Sequence, residues 1–169
     1  KDNHDEKKLY AFTLTEDGDM VTVEGMPIPL HGLPAWITVR RRNADQPMCI
    51  FTISPDGNMI EYIYVDETTL EWQKSVSEQI HLPDNSVNPV HASVTEDGQT
   101  LVIANYHGPD DASQSFGASV ISTPIHSSSR HCKTGDDFFV NQHTGKSTVP
   151  GRQGSAHPHD AVAGRNGFV

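Results

Sequence analysis

One arginine and two histidines lie close together near the carboxyl end of the sequence. Arg152 is followed by His157 and His159, and because residues i and i+2 of a strand point to the same face, the two imidazoles are predicted to line one wall. Imidazoles gain and lose protons near neutral pH, and a guanidinium holds a carboxylate or phosphate through paired hydrogen bonds. This grouping therefore suits proton transfer on a negatively charged substrate. Histidine pairs of this spacing also serve as surface or packing residues on strands, and that alternative stays open.

Metal binding is a second use for histidine, of which the chain has ten. Zinc sites draw their ligands from histidine, cysteine and carboxylates at compact spacings. Two clusters of such residues occur, one of His157, His159 and Asp160 and one of His126, His131 and Cys132. The sequence has neither an HExxH motif nor paired CxxC motifs, and the second cluster contains a run of serines that is typical of a loop. We expect no metal and no other cofactor.

Motifs of several other chemistries are missing. The sequence has no GxxxxGK[ST] phosphate loop, no GxGxxG dinucleotide fingerprint and no GxSxG nucleophile elbow. Nucleotide binding and covalent serine catalysis therefore have no support. The 12 basic and 22 acidic residues give a net charge of −10, with a single basic cluster at residues 40–42, so no nucleic-acid partner is expected.

The composition is typical of a soluble globular protein, with 35% hydrophobic and 20% charged residues. No apolar run approaches the roughly 20 residues that span a bilayer, so no membrane partner is expected. Cys49 and Cys132 form no CxxC pair and are predicted to be reduced thiols. The chain begins at Lys1 without a signal-peptide pattern, and residues 167–169 resemble the start of a strand. We expect a piece of a longer, cytoplasmic protein.

Strand patterns dominate the sequence and predict an all-β fold. Residues 9–14 and 48–53 are rich in β-formers and end at turns that contain Asp and Gly. Residues 60–65 and 100–106 are also predicted strands. No stretch of 12 or more residues has a convincing helical period with caps. Residues 68–80 come nearest, but their aromatic and β-branched content makes a strand at least as plausible.

A repeated pattern predicts how the strands are grouped. Trp36, His91 and His159 are each followed three residues later by Val, and we interpret them as the starts of equivalent inner strands. About four strands fall between successive starts, which suits the four-stranded blades of a β-propeller. Residues 107–117 and 126–134 are interpreted as inserted loops. A β-sandwich is the alternative and ranks slightly behind. Trp36 is predicted to belong to the core despite its equivalent position.

Two segments resemble the lactonase family of seven-bladed β-propellers, which includes propeller-type 6-phosphogluconolactonases and fungal carboxymuconate cyclases. The first is residues 90–98 with the strand of residues 101–106, which ends in Ala-Asn-Tyr; the second is residues 152–159, Arg-Gln-Gly-Ser-Ala-His-Pro-His. Gly154 stands where the family usually has Glu. The resemblance implies a polar segment over residues 1–8 and a partial propeller over residues 9–169, with roughly two to three of seven blades.

The resemblance also implies a function. It indicates a hydrolase of a sugar lactone, similar to 6-phosphogluconolactonase, that acts on a small anionic lactone in carbohydrate metabolism and the pentose phosphate pathway. A lactone-forming enzyme similar to carboxymuconate cyclase and a non-catalytic binding propeller stay open, and so does the activity of the isolated fragment. The implied catalytic residues are His157, His159 and His91, and the implied substrate-binding residues are Arg152, Gln153, Asn105 and Tyr106.

Overall fold

The computed structural model describes residues 7–40, 48–65, 72–83, 87–107, 118–128, 131–135, 137–143 and 157–164. These residues form strands and one short 3₁₀ turn, with no α-helix among them. The all-β prediction is therefore confirmed, and the described part of the ambiguous segment, residues 72–80, belongs to a strand rather than a helix. Within the same described ranges, no helix has the length and apolar character needed to cross a membrane.

The strands are β1 (Lys8–Leu9), β2 (Phe12–Leu14), β3 (Met20–Thr22), β4 (Ile28–Pro29), β5 (Trp36–Arg40), β6 (Cys49–Ser54), β7 (Met59–Val65), β8 (Trp72–His81), β9 (Val87–Val94), β10 (Thr100–His107), β11 (Ser119–Ser128), β12 (His131–Thr134) and β13 (Phe139–Gln142). The 3₁₀ turn η1 (Pro55–Gly57) joins β6 to β7.

The first blade is an antiparallel sheet with the strand order β5-β6-β7-β8. All six residues of β6 are buried, because the strand is covered on both faces. The turn after it has Pro55 at its start and Asn58 in the left-handed region at φ 47°, and the Asn58 amide donates to the Pro55 carbonyl at 3.1 Å. Asparagine tolerates this conformation better than most residues. The turn thereby fixes the register in which Phe51 faces Tyr62.

The second blade has the strand order β9-β10-β11-β12, and β13 also pairs with β11. β11 is ten residues long. Its second half pairs with β12 and its first half with β13, so these two short strands share the outermost position. A register shift between Ala104 and Asn105 interrupts the pairing of β10 with β9. Such bulges re-aim side chains and are frequent beside functional sites.

The innermost segments of successive blades lie side by side. β5 packs against β9, and residues 157–164 run along the face of β9 that carries the His91 and Ser93 side chains. The Ser93 hydroxyl donates to the Ala161 carbonyl at 2.6 Å and accepts from the Ala163 amide at 2.9 Å, while the Ala161 amide lies 3.2 Å from the His91 ring. Because residue numbers rise together along the two segments, they run in the same direction. This is the arrangement of an incomplete β-propeller, as predicted.

Residues 8–29 form a hairpin before the first blade, through the pairs β1–β4 and β2–β3. Its base packs Leu9, Ile28 and Leu30 against the first blade. Asp56 of η1 anchors the region, since it accepts from the Lys7 ammonium at 2.6 Å and from the Leu33 amide at 3.0 Å. The bond from Lys7 is the main reason that the pKa of this carboxyl is lowered. The tip of the hairpin, by contrast, exposes apolar side chains to solvent.

One continuous hydrophobic core joins the two blades. Phe51, Ile53 and Ile60 of the first blade pack with Leu101 and other residues of the second. All of these side chains are fully buried. Burying one large aliphatic or aromatic side chain contributes about 1.5–3 kcal/mol. The packing of blade face against blade face is therefore the main source of stability in this part of the chain.

The two cysteines meet in the seam between the blades, which corrects the expectation of separate reduced thiols. The structure joins Cys49 of β6 to Cys132 of β12 in a disulfide, with 6.2 Å between the Cα atoms. Blade packing brings the outer strand of the second blade onto the first blade. The two cysteines are far apart in the sequence, so this contact was not evident from it. Arg40 is 1% exposed, and its Nη2 atom lies 3.2 Å from both sulfurs. Burial lowers the pKa of this guanidinium.

Candidate functional site

Tyr106 lies at the centre of a group of aromatic rings where β10 approaches residues 157–164. Its ring is stacked on that of His157, with 4.5 Å between centroids and 20° between planes. The His159 ring meets it edge-on, at 4.7 Å and 64°. Both geometries are favourable for aromatic pairs. The structure thus brings together both histidines of the predicted wall and one predicted substrate-binding residue.

The proton on His157 is fixed by the backbone. Its Nδ1 atom lies 2.9 Å from the carbonyl oxygen of Tyr106. A carbonyl only accepts, so Nδ1 carries the proton and Nε2 carries the lone pair when the ring is neutral. This is the form in which an imidazole can take a proton from water. His159 is more exposed and contacts the same tyrosine from the side.

His91 lies in β9 beside this group. The residue is 9% exposed. Its Nδ1 atom is 2.8 Å from Oδ1 of Asp160, and the indole of Trp36 lies against its ring with centroids 4.3 Å apart. Asp160 directly follows His159, so one short segment contacts both Tyr106 and His91. The three implied catalytic histidines therefore share one region of the structure.

Trp36 and Asp160 are the residues that sequence reasoning missed at this site. The prediction that Trp36 belongs to the core is wrong, because 43% of its surface is exposed. The sequence feature that could have placed Trp36 at the site is its position in the repeat, which is equivalent to that of His91. Equivalent positions on inner strands are expected to face the same channel. Asp160 was considered only as a metal ligand. In the other potential metal cluster, Cys132 is joined to Cys49. No group of three His, Cys, Asp or Glu residues placed to hold a metal ion occurs among the described residues.

Asn105 points into the second blade. It is fully buried, and its Nδ2 atom donates to the hydroxyl of Ser119 at 3.2 Å and to the Ser119 carbonyl at 3.4 Å. In this position it connects β10 to β11 directly after the bulge. Its predicted contact with substrate stays a prediction.

The predicted anion-binding residues Arg152 and Gln153 lie outside the described residues, as does Gly154. These three positions come shortly before His157 in the sequence. Their roles in binding a phosphate or carboxylate stay predictions.

Comparison with known families identifies the chain. The family model described as "Lactonase, 7-bladed beta-propeller" matches residues 2–169. The chain belongs to this lactonase family. The resemblance seen in the Ala-Asn-Tyr strand and in the histidine pair is therefore confirmed.

A solved structure shows the same fold in a longer protein. A protein of Bacteroides uniformis ATCC 8492, described as a "putative 6-phosphogluconolactonase", matches with a TM-score of 0.58 and 17% sequence identity. The match covers 98% of this lactonase-family chain and 42% of the other. The chain thus spans less than half the length of that relative. No curated protein matches the chain.

Proposed function

We propose that the protein hydrolyses a sugar lactone that carries a negative group, in the manner of a 6-phosphogluconolactonase. The activity is proposed for the parent protein, meaning a chain that carries these residues together with the remaining blades of a ring. The reaction would belong to carbohydrate metabolism, within the pentose phosphate pathway, and would take place in the cytoplasm. Membership of the lactonase family and the name given to the Bacteroides uniformis protein support this proposal.

The observation that carries the proposal is the ring group around Tyr106. His157 is held by stacking and by a hydrogen bond that leaves Nε2 as an acceptor. Hydrolysis of a lactone requires a base that takes a proton from water while the water oxygen attacks the ring carbonyl. It also requires a donor for the developing oxyanion and an anchor for the anionic group. The histidines can supply the base, and Arg152 is the proposed anchor.

The anchor is needed because the chain carries a net charge of −10, which repels an anion. Distant charges are screened over about 10 Å at ordinary ionic strength, whereas a contact pair is screened much less. A single guanidinium at the site can therefore attract the anionic substrate despite the repulsion from the net negative charge of the chain. Arg152→Ala in the parent protein should chiefly raise KM.

Steady-state kinetics on four variants tests the proposal. We expect Arg152→Ala to weaken substrate binding, and whichever of His91→Ala, His157→Ala and His159→Ala removes the general base to lower kcat by about 10²- to 10⁴-fold. The substrate is 6-phosphogluconolactone, and the rate is measured by acid release at constant pH above the spontaneous decay. Near-parental values for all four variants would place the chemistry elsewhere in the ring.

A non-catalytic binding propeller is the second candidate, and Gly154 favours it. The family usually has Glu at this position, and the loss of a carboxylate can remove turnover while leaving binding intact. Two results would establish this function. The parent protein would leave the spontaneous decay of several sugar lactones unchanged, and calorimetry would detect binding of those lactones. A lactone-forming reaction similar to that of carboxymuconate cyclases would appear instead as ring closure of the open acid.

A further inference from the structure

The hydrogen bond that His91 accepts from the backbone fixes the position of its proton. The Ala161 amide donates to Nδ1 of His91 at 3.2 Å. An imidazole nitrogen that accepts a hydrogen bond carries a lone pair, so in the neutral ring the proton lies on Nε2. His157 is in the opposite form, because its Nδ1 atom lies 2.9 Å from the Tyr106 carbonyl, which can only accept. The site therefore has one histidine that donates from Nε2 and one that accepts there.

Asp160 also contacts Nδ1 of His91, but it does not decide where the proton lies. Its Oδ1 atom is 2.8 Å from that nitrogen, and its side chain is 60% exposed. An exposed ion pair contributes little to stability, because water already solvates the carboxylate. Ala161 is buried, with 3% of its surface exposed, and a buried amide without an acceptor costs more than such an ion pair contributes. The neutral ring with an unprotonated Nδ1 is therefore the favoured form.

The Nε2 atom of His91 can reach a ligand. Among the described residues, none is hydrogen-bonded to it, and it does not belong to the buried polar atoms that lack a partner. This nitrogen is therefore open to solvent, although the side chain as a whole is only 11% exposed. The Trp36 indole, with 4.3 Å between centroids, and the Ala161 amide hold the ring in place. A donor that is held in this way needs no reorganisation when charge develops beside it.

His91 lies next to the ring group around Tyr106. It pairs with Ala104 of β10, two residues before Tyr106, and a strand advances by about 3.3 Å per residue. His157 and Ala161 belong to one short segment, which contacts Tyr106 through the first and His91 through the second. A sugar lactone bound against Tyr106 is therefore close to both histidines, one an acceptor and the other a donor.

We infer that His91 is the hydrogen-bond donor to the oxyanion of the proposed lactone hydrolysis and acts as a neutral ring through Nε2; this inference rests on the proposed function. His157 is the base. Its Nε2 atom takes a proton from water as the water oxygen bonds to the lactone carbonyl carbon, and the carbonyl oxygen becomes an oxyanion that accepts from Nε2 of His91.

The second half of the reaction returns the proton. The ring carbon–oxygen bond breaks, the carbonyl re-forms, and the leaving oxygen takes the proton from His157. His91 keeps its own proton throughout, so its contribution is electrostatic. This division of roles distinguishes His91 from a residue that transfers protons.

The proton positions can be measured without any substrate. We expect ¹⁵N NMR of the histidine-labelled parent protein, at a pH where the imidazoles are neutral, to show His91 protonated on Nε2 and His157 protonated on Nδ1. Spectra of His91→Gln and His157→Gln identify the two sets of signals. Asp160→Asn should leave both positions unchanged. A His91 ring protonated on Nδ1 in the parent protein would overturn the inference.

Proline substitution removes the amide hydrogen on which the assignment depends. In Ala161→Pro the His91 ring loses its donor, and we expect part of the population to move its proton to Nδ1, beside Asp160. Ala163→Pro is the matched control, because the Ala163 amide donates to the Ser93 hydroxyl at 2.9 Å. Thermal melting identifies a variant that has lost its fold, in which case the spectrum of the parent protein decides. A proton that moves in neither folded variant would contradict the role of Ala161.

Kinetics separates a donor from a base at His91. His91→Leu should lower kcat by about 10²- to 10³-fold with little change in KM, because charge on the carbonyl oxygen develops only as water attacks. His91→Gln keeps an N–H donor and should stay within roughly 10-fold of the parental kcat. His157→Gln removes the base and should lose about 10²- to 10⁴-fold. A folded His91→Gln variant as slow as His91→Leu would overturn the donor role.

The same measurements separate this inference from the proposed function. A parent protein that hydrolyses 6-phosphogluconolactone while His91→Leu keeps its kcat would overturn the inference alone. A parent protein without lactone hydrolysis would overturn the proposed function and, with it, the role of His91.

Discussion

Two polar regions of the molecule behave in opposite ways, one where the second blade meets residues 157–164 and one between the two blades. The histidine face, made of Tyr106, His157, His159 and their neighbours, keeps its rings partly exposed, and the His157 ring is hydrogen-bonded to a backbone carbonyl. The seam of Arg40, Cys49 and Cys132 is fully buried, and its cysteines are joined. Both regions contain residue types that are common in active sites. Their difference shows that burial and partners, rather than residue type, separate a structural group from one that can do chemistry.

The largest effect on stability should come from truncating the Arg40 side chain in the seam. Arg40→Ala removes a large side chain that is 1% exposed, and we expect a loss of about 2–5 kcal/mol in the free energy of unfolding because a cavity remains. Arg40→Met keeps most of the volume and should cost less than about 1.5 kcal/mol. Urea denaturation measures both variants. Equal stability of the two would mean that the guanidinium charge, and not its volume, matters here.

The disulfide should give the next largest effect. Cys49 and Cys132 are separated by 83 residues, and closing a loop of this length stabilises a folded chain by about 2–4 kcal/mol. The double variant Cys49→Ala, Cys132→Ala should lose that amount, while kcat stays at the parental value. Thiol titration of the unreduced, denatured protein should detect neither cysteine. Two reactive thiols under those conditions would contradict the cross-link.

The smallest of these effects belongs to the histidine face. Tyr106→Leu removes two ring contacts but keeps the backbone carbonyl that accepts from His157. Aromatic pairs contribute about 0.5–1.5 kcal/mol each, and because these rings are partly exposed we expect a loss near the lower end for the two together, roughly 1 kcal/mol in unfolding free energy. A variant that loses this little stability stays folded under assay conditions. If the histidine face is the catalytic region, kcat should therefore fall even though the variant is folded. A variant with lower stability and unchanged kinetics would make the histidine face as structural as the seam.

The sequence predicted the fold class because strands and turns are local. Residues 48–53 and 100–106 carry the β-formers and turn residues that fix β6 and β10. His157 and His159 were predicted to share one wall, and both rings do contact Tyr106, although the segment that carries them is not the regular strand on which the prediction relied. Residues 68–80 stayed ambiguous because their aromatic and β-branched content allowed a strand without excluding a helix, and tertiary pairing with β7 decides the matter.

Contacts between blades could not be predicted in the same way. The approach of Cys132 to Cys49 depends on which face of one sheet packs on the next, and no local pattern encodes that choice. The contact of Asp160 with His91 also escaped prediction. Residues 157–164 are not a regular strand in the structure, so strict alternation of side chains does not apply to them.

The hydrophobic core that runs through both blades has a consequence for the modularity of the chain. Phe51, Ile53 and Ile60 complete their packing only with residues such as Leu101 and Ile103 of the neighbouring blade. A single blade cut out at its strand boundaries would carry half of a core and leave it open to water. In arrays of this kind, the interface between neighbours is the cooperative element. Recombination or engineering that preserves folding should therefore exchange segments from the middle of one blade to the middle of the next.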